Sequence, residues 1–559
     1  MADHRVHQQN ALTFWHLPTF FLVIGYPAYW LELFWLGSRR GITSPLGWIV
    51  FAVVLLIVLK GAWPGLKDVV LESRAEILRM PLPRRTLVLT AGMILFVLLA
   101  CAFYASLLPP HLPQEGDALN YHITVPRQHL IYGSFEFLPW SVTDLFLLPL
   151  DFALAPFWLS TPTPNKIPQF WFLIGMIAVM ARLSGRFTRG RLSPAFWIAC
   201  AVAGSHNVGI QAGTAMLDLV IVYLFFAAWD SFLHGRKWLC ALELTFFIWS
   251  KPFIPAFLVI SAVLMIAFAA VMSLGGKRPL KFAWLSVPPE GEGPGERWPD
   301  AKRVALMSVL LSIFIAGPFL AKSLYYSGTP VYPLAAGRWI VNKNIDQNSL
   351  GWTSITGKAG PLMAVRDMYG SGRSPKEFLR HLWLVAVPEN GVNNRYDYPL
   401  GLVYLLCLLP FFYVLADAWR RKEFLILPLL AVAYWATWWL GSHQSRFLYI
   451  PVLLMILTVL SRGEMLTRLM RSGLVLALAL TCLSVLRCTA PDFGKRPWDT
   501  LRAKDRKLLE MSATVDRTAP TLLGFHDAAF ADFPVAVVAP ERLFVLEYME
   551  GVEPPPFKF

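Results

Sequence analysis

Charge is what this sequence has least of. Lys, Arg, Asp and Glu make up 15% of its 559 residues, against about 25% in a soluble globular domain. That excludes a string of water-soluble domains, which a chain of this length would otherwise suggest. Cysteine is scarce too. The six cysteines, Cys101, Cys200, Cys240, Cys407, Cys482 and Cys488, lie mostly inside apolar runs. None has metal-ligand spacing, and they outline no disulfide framework. Acids are the rarer sign, 36 against 50 bases, which leaves a net charge of +14. In a membrane protein Lys and Arg collect in cytoplasmic loops, so the excess calls for no nucleic acid.

Apolar residues stand where the charges are missing. They form 56% of the chain, and mean hydropathy is +0.51. The 22 Trp, 17 Tyr and 39 Phe suit a membrane–water interface, where aromatic rings settle. About thirteen runs approach the roughly 20 apolar residues that a span requires, the first near Phe14–Leu36 and the last near Gly473–Leu486. The expectation is an all-α integral membrane protein, a bundle of about 13 transmembrane helices. MADHRVHQQN at the start is polar, and the apolar run after it is too long for a signal-peptide core, so it is expected to be retained.

Loop charges set the expected orientation. Lys67, Arg74, Arg79, Arg84 and Arg85 share one face with Arg186, Arg189, Arg191, Arg236 and Lys237. Lys277, Arg278, Lys281, Arg420, Arg421, Lys422, Arg462, Arg468 and Arg471 join them. That face is read as cytoplasmic, with the N-terminus on it, in the cell (inner or plasma) membrane. The other face receives Gln114–Lys166, turns at His206–Ala215 and Ser442–Arg446, the loop Ser327–Pro399 and the tail Thr489–Phe559. Leu130–Leu159 and Ser374–Val387 are expected to lie as helices along that outer interface. Ser374-Pro375 is a fitting N-cap and first-turn pair. Asp144–Leu159, broken by Pro149 and Pro156, is read as lying on or dipping into the membrane. Pro288–Asp300 reads as a Pro/Gly/Glu-rich cytoplasmic linker.

EGDALNYHITVPRQHL, Glu115–Leu130, leaves the membrane and at once presents Glu115, Asp117, Tyr121, His122 and Arg127. Topology brings three further charges to the same face: Asp218 at the start of a span, Lys251 at a break, and Arg446 at the start of another. Each has a plain reading as well. Asp117 reads also as a solvated loop acid, Asp218 as a helix-terminal acid, Lys251-Pro252 as a helix break, and Arg446, with His443 and Gln444 beside it, as an interface anchor. Tyr121 and His122 read also as anchors of an interfacial helix. Glu32 and Glu243 lie inside apolar runs, where an acid is expensive unless it is paired or faces a cavity.

In their order along the chain these segments resemble the GT-C class of polytopic glycosyltransferases, relatives of the dolichyl-phosphate-mannose protein mannosyltransferases and the lipid A aminoarabinose transferases. GDALNYHITVPRQHLIYGSF resembles that class's first outer-loop signature, and AGTAMLDLVIVYLFFA its second outer acid. TFFIWSKPFIPAFLV resembles its Lys break. GPFLAKSLYYSGTPVYPL resembles its span ending in a Gly-Asn-Pro-Val-Tyr-Pro-Leu-like sequence, with Thr329 in place of Asn. SHQSRFLYIPVLLMIL resembles its Arg-Tyr-Leu segment, with Phe447 in place of Tyr. Ala118 follows Asp117 where many members carry a second acid, so no role of that acid transfers.

The resemblance implies a GT-C-like bundle with outer-face interfacial helices and a small C-terminal tail unit. It divides the chain into an N-terminal two-span extension and cytoplasmic loop (1–85), a catalytic module (86–488, outer loops 109–166 and 327–399) and a tail (489–559). It implies transfer of a sugar from a polyprenyl-phosphate donor to an outer-face acceptor, a glycan, lipid or protein, with inversion. Asp117 is then the general base, and Glu115, Tyr121, His122, Asp218, Lys251 and Arg446 contact substrate. The chemistry agrees: the acceptor hydroxyl must lose a proton, and the leaving phosphate gains charge that a cation in a dry site stabilises. Asp117 and a cation are expected to face each other across about 8–15 Å, one hexose plus the reacting distance. No cofactor is expected; carboxylate oxygens leave a divalent metal open but not favoured. The competing readings are a transporter or flippase for a lipid-linked sugar, and a non-catalytic membrane protein of polysaccharide assembly.

Overall fold

The computed structural model describes residues 15–37, 41–108, 110, 115, 117–138, 142–161, 164–187, 192–251, 253–274, 281–283, 301–332, 372–386, 399–421, 423–441, 443–462, 465–494, 521–523 and 543–545. Its first helices are α1 (Thr19–Leu31), continued by a π turn (Glu32–Leu36), then α2 (Leu46–Arg79) and α3 (Leu82–Leu107). A second π turn (Ala118–His122) leads to α4 (Thr124–Tyr132), a 3-10 turn (Val142–Leu145) and α5 (Pro149–Trp158). The middle of the chain forms α6 (Ile167–Phe187), α7 (Leu192–Gly204), α8 (His206–Gln211), α9 (Asp218–Leu233), α10 (Lys237–Ile248) and α11 (Phe253–Leu274). Strand β1 (Lys281–Ala283) precedes α12 (Ala301–Ile315), α13 (Gly317–Ser327) and α14 (Pro375–Leu384). The last part holds α15 (Leu402–Arg420), β2 (Glu423–Leu425), α16 (Ile426–Leu440), a 3-10 turn (Ser445–Leu448), α17 (Tyr449–Leu460) and α18 (Arg468–Thr489), which ends in a 3-10 turn (Ala490–Asp492). Two three-residue strands, β3 (Thr521–Leu523) and β4 (Leu543–Val545), pair in parallel. The rest of the expected tail unit lies outside the described residues, as do Arg189, Arg191, Pro252, the Pro288–Asp300 linker and most of the Ser327–Pro399 loop.

Among the described residues, six helices are long and apolar enough to cross a membrane: Thr19–Leu36, Leu46–Pro64, Leu82–Leu107, Ile167–Ser184, Leu402–Arg420 and Arg468–Thr489. The pair α12–α13, bent by 55°, makes a seventh if it is one broken span. Four apolar helices are shorter: Pro194–Gly204, Ala256–Ala270, Ile426–Leu440 and Ser445–Leu460. The chain is thus a helical membrane protein. Hydropathy alone does not separate burial in lipid from burial in protein. Every residue of α17 is buried against other helices, and at 1.5 Å per residue its 12 residues reach only about 18 Å. The long helices instead carry exposed apolar side chains, among them Leu56, Ile57 and Phe96, which suit a lipid environment.

Leu130–Leu159 is not one interfacial helix. Gly133, at φ 63°, ends α4 in a left-handed cap. All ten residues of α5 are buried, so it is an interior helix and not one resting on the membrane. Pro149 opens it, where a missing N–H costs nothing. α5 crosses α1 so closely that a Cβ on Gly25 would stand 1.9 Å from the Ala153 carbonyl oxygen, and only glycine fits there. Around this crossing pack the pairs α9–α10, α3–α18, α6–α7, α11–α16 and α15–α17. At one end of the bundle β1 pairs with β2 in parallel, Lys281 opposite Glu423. Two of the basic loops assigned to one face therefore do meet.

α14 follows the expected cap. The Ser374 hydroxyl accepts from the Glu377 backbone N–H at 3.2 Å, with Pro375 in the first turn.

Candidate site at one end of the helical bundle

The site begins at a distortion. Within the turn after Asp117, the Ile123 N–H donates to the Ala118 carbonyl at 3.0 Å. A π turn closes one residue later than an α turn, so His122, with Tyr121 beside it, comes back towards Asp117. Such turns are frequent at functional sites. Tyr121 lies against the His122 ring at 4.2 Å between centroids.

Three other elements bring charges to Asp117. The 3-10 turn between α16 and α17 carries Arg446, whose Nη1 donates to Asp117 Oδ2 at 2.6 Å. The same nitrogen stands 4.0 Å from Oδ2 of Asp218, in the first turn of α9. Lys251, just past α10, donates to Asp218 Oδ1 at 2.9 Å. Gln211 Nε2, at the end of α8, lies 3.4 Å from Asp218 Oδ2. Phe447 stands below both cations, with its ring centroid 5.7 Å from Arg446 and 6.0 Å from Lys251. The result is a chain of alternating sign: Asp117, Arg446, Asp218, Lys251.

Asp117 and its cation are in contact, not separated by 8–15 Å as the sequence reading expects. The reason is electrostatic. Asp218 is fully buried, and Arg446 and Lys251 are mostly so. Charges removed from water are costly unless each has a partner at hydrogen-bond distance. Asp117 is the most accessible of the four, with 28% of its side chain exposed. Burial alone would raise its carboxyl. The charges of Arg446, Lys251 and His122 outweigh that and hold it well below the usual carboxylate range.

Glu115 does not join this cluster. It is buried, accepting from Lys166 Nζ at 2.7 Å and from the Ala215 N–H at 2.8 Å. It ties the first outer loop to the start of α6 and to the loop before α9. Arg127 is buried as well. His443 stacks on Trp439 at 4.4 Å and bonds its carbonyl through Nε2 at 2.9 Å. The Gln444 carbonyl accepts from Trp438 Nε1 at 2.8 Å, which fixes the start of the turn bearing Arg446.

Three further polar groups emerge. His122 Nδ1 lies 2.5 Å from Asp151 Oδ1 on α5. His129 Nε2 and Lys322 Nζ both meet Asp144 Oδ1, at 2.7 and 2.6 Å. Along α9, 12 residues beyond Asp218 and so about 18 Å away, His16 bridges Asp230 at 2.9 Å and Glu243 at 2.7 Å. Thr19 and Ser231 also donate to Glu243. Glu32 accepts from the Ser44 N–H at 2.7 Å. The signal for Asp144 and Asp151 is present in LFLLPLDFALAPFWL and its flank: an acid within an apolar run needs a partner, as Glu32 and Glu243 do. Among the described residues no group of three or more His, Cys, Asp and Glu could hold a metal ion.

Outside the cluster, α14 is docked on α16. Trp435 Nε1 donates to His381 Nε2 at 2.8 Å, and Arg373 caps the end of α16 through the carbonyls of Trp439 and Gly441, at 2.5 and 2.6 Å. Fold and site together define a helical membrane protein with a charged centre at one end of its bundle. Comparison with protein-family models, with curated proteins and with solved structures finds no match to this chain.

Proposed function

We propose that the protein is a GT-C-type membrane glycosyltransferase that moves a sugar from a polyprenyl-phosphate donor to an acceptor hydroxyl on the outer face of the cell membrane. The supporting observation is the meeting of Asp117, Arg446, Asp218 and Lys251, from four distant parts of the chain, in one alternating cluster. Acids and cations held together can serve the two ends of such a transfer. Arg446 engages Asp117 Oδ2; Oδ1, which has no partner among the described residues, is the atom for the acceptor hydroxyl. A carboxylate there draws off the proton as the oxygen attacks the anomeric carbon. The bond to the lipid phosphate breaks on the opposite side, and the configuration inverts. The phosphate leaves with the electron pair, and Arg446 and Lys251 stabilise its charge. Guanidinium and ammonium carry five and three donors, enough to hold an acid and a phosphate together. Tyr121, His122 and Asp218 complete the substrate side. Glu115, locked to Lys166, holds the loop in place.

In this reading the shorter helices complete a GT-C bundle of about thirteen hydrophobic segments. The N-terminus and basic loops face the cytoplasm, and the donor lipid enters between spans from the membrane. No metal or other cofactor takes part. The acceptor is a glycan, a lipid or a protein. A flippase would need ionisable groups free to exchange partners at mid-membrane; Glu243 is instead held by His16, Thr19 and Ser231.

The test is purification of the full chain with membrane lipids, followed by incubation with radiolabelled polyprenyl-phosphate sugars and an envelope extract as acceptor source. Release of polyprenyl phosphate coupled to label in the acceptor supports transfer. Translocation of intact donor in vesicles, with no cleavage, would replace this reading with the flippase.

A further inference from the structure

The contact between His122 and Asp151 lies outside the ionic cluster and has been given no part in the reaction. His122 sits at the end of the π turn that starts beside Asp117, and Asp151 sits on the wholly buried α5. Both side chains are about 1% exposed. Their contact, Nδ1 to Oδ1 at 2.5 Å, orients the ring. His122 Nε2 is buried with no hydrogen-bond partner, and so is Asp151 Oδ2. A buried nitrogen without a partner is destabilising unless some bound group or proton satisfies it. The Asp–His arrangement, with the outer nitrogen free, is the one that fits an imidazole to accept a proton.

Charges surround the ring from several elements. Asp117 and Tyr121 flank it on its own segment, Asp151 faces it from α5, and His122 is close enough to act on the Asp117 carboxylate. Asp117, Arg446, Asp151 and Asp218 all act on the Tyr121 hydroxyl, so the dyad and the ionic cluster share one site. Lys251 reaches Asp151 electrostatically as well.

We infer that His122, oriented by Asp151, is the proton sink of the transfer reaction, receiving at Nε2 the proton that Asp117 takes from the acceptor hydroxyl. The inference rests on the glycosyl-transfer reading and deepens it. Asp117 is suited to hold the hydroxyl and poorly suited to keep its proton, because Arg446 stabilises the carboxylate form. The step balances. The acceptor O–H loses H⁺ to Asp117, and the oxygen forms the new bond to the anomeric carbon. The bond from that carbon to the phosphate oxygen breaks, its electron pair leaving with the lipid phosphate. The proton passes to His122 Nε2 and is released to water before the next turnover. No oxidant, reductant or metal is needed.

The test uses the full chain in lipid, with initial rates measured from pH 5 to 9 and donor binding followed separately. His122→Gln is expected to lower kcat about 10²-fold, at the lower end of general-base effects, with donor KM within about twofold of wild type. The acid limb of the wild-type pH profile should vanish in His122→Gln and move in Asp151→Asn, which leaves the imidazole in place with the wrong orienting partner. Free imidazole should restore turnover to His122→Ala. Turnover and acid limb unchanged in both His122 variants would overturn the inference. So would a loss tracking only donor affinity or thermal stability, with no rescue by imidazole. Failure of the wild-type chain to cleave any polyprenyl-phosphate sugar overturns the parent reading instead, and the inference with it.

Discussion

Lys251 Nζ stands 2.9 Å from Asp218 Oδ1, and the carboxylate it meets is wholly buried. The pair is both a structural tie between α9 and the end of α10 and, in the proposed reaction, half of a phosphate site. Variants separate the two roles. Asp218→Asn leaves an ammonium in a dry place without its counter-charge, and the thermal transition in detergent should fall by an amount equivalent to about 3–5 kcal/mol. The double variant Asp218→Asn with Lys251→Met should recover much of that stability, because neither charge remains, yet bind donor at least tenfold more weakly. Recovery of donor binding along with stability would remove Lys251 from the site.

Asp117→Asn keeps the shape and a hydrogen bond to Arg446 but removes the negative charge. Turnover is expected to drop about 10²–10⁴-fold, with donor binding preserved. Near-normal turnover would remove Asp117 as the base. The contact of Glu115 with Lys166 means that Glu115→Gln should behave oppositely. It should lower folded yield and thermal stability while the surviving protein turns over at close to the wild-type rate. That comparison separates the loop lock from the chemistry.

Docking of α14 carries a pH dependence with a defined sign. Burial pushes the His381 imidazole down to about 4; the bond to the Phe378 carbonyl opposes this and the His443 charge adds to it. A free imidazole takes its proton near 6.5. Between about pH 6.5 and pH 4 the undocked helix binds a proton that the docked one refuses, so docking is full above that window and weakens as pH falls through it. The loss is on the order of 3 kcal/mol. Hydrogen exchange over Pro375–Leu384 should accelerate from pH 6.5 towards 4, after correction for intrinsic rates, and the effect should be absent in His381→Gln.

Orientation is open to a direct measurement. In a chain whose exposed Cys488 is replaced by Ser, a cysteine at the exposed Glu136 should react with an impermeant thiol reagent in intact cells, and one at exposed Lys67 only after permeabilisation. The reverse pattern would place the charged centre on the cytoplasmic side and exclude a flipped lipid donor.

The residues of the ionic cluster were legible as candidates because each is a charge at the edge of an apolar run, where few structural reasons exist for one. Ser374 was legible because its cap is a local device, completed three residues on at Glu377. What could not be read was partnership across the chain. Glu115 is two residues from Asp117, and adjacency groups them, but Glu115 is held by Lys166. Asp151 falls in the stretch read as lying on the membrane, and its partner, His122, belongs to another element. The same limit separates the apolar runs of the sequence from the six described helices that are long enough to cross a membrane alone. A run such as Tyr449–Leu460 is equally apolar whether lipid or protein surrounds it, and here protein does.

The contact between Arg446 and Asp117 joins residues 329 positions apart. At about 5–20 residues per second of synthesis, roughly 16–66 s separate the emergence of the acid from that of its partner. For that interval most of the helices are already made, while Asp117 waits without its guanidinium. The charged centre is therefore completed late, with only α17, α18 and the tail still to follow, and a ribosome that stalls before Arg446 leaves a chain largely inserted but chemically incomplete.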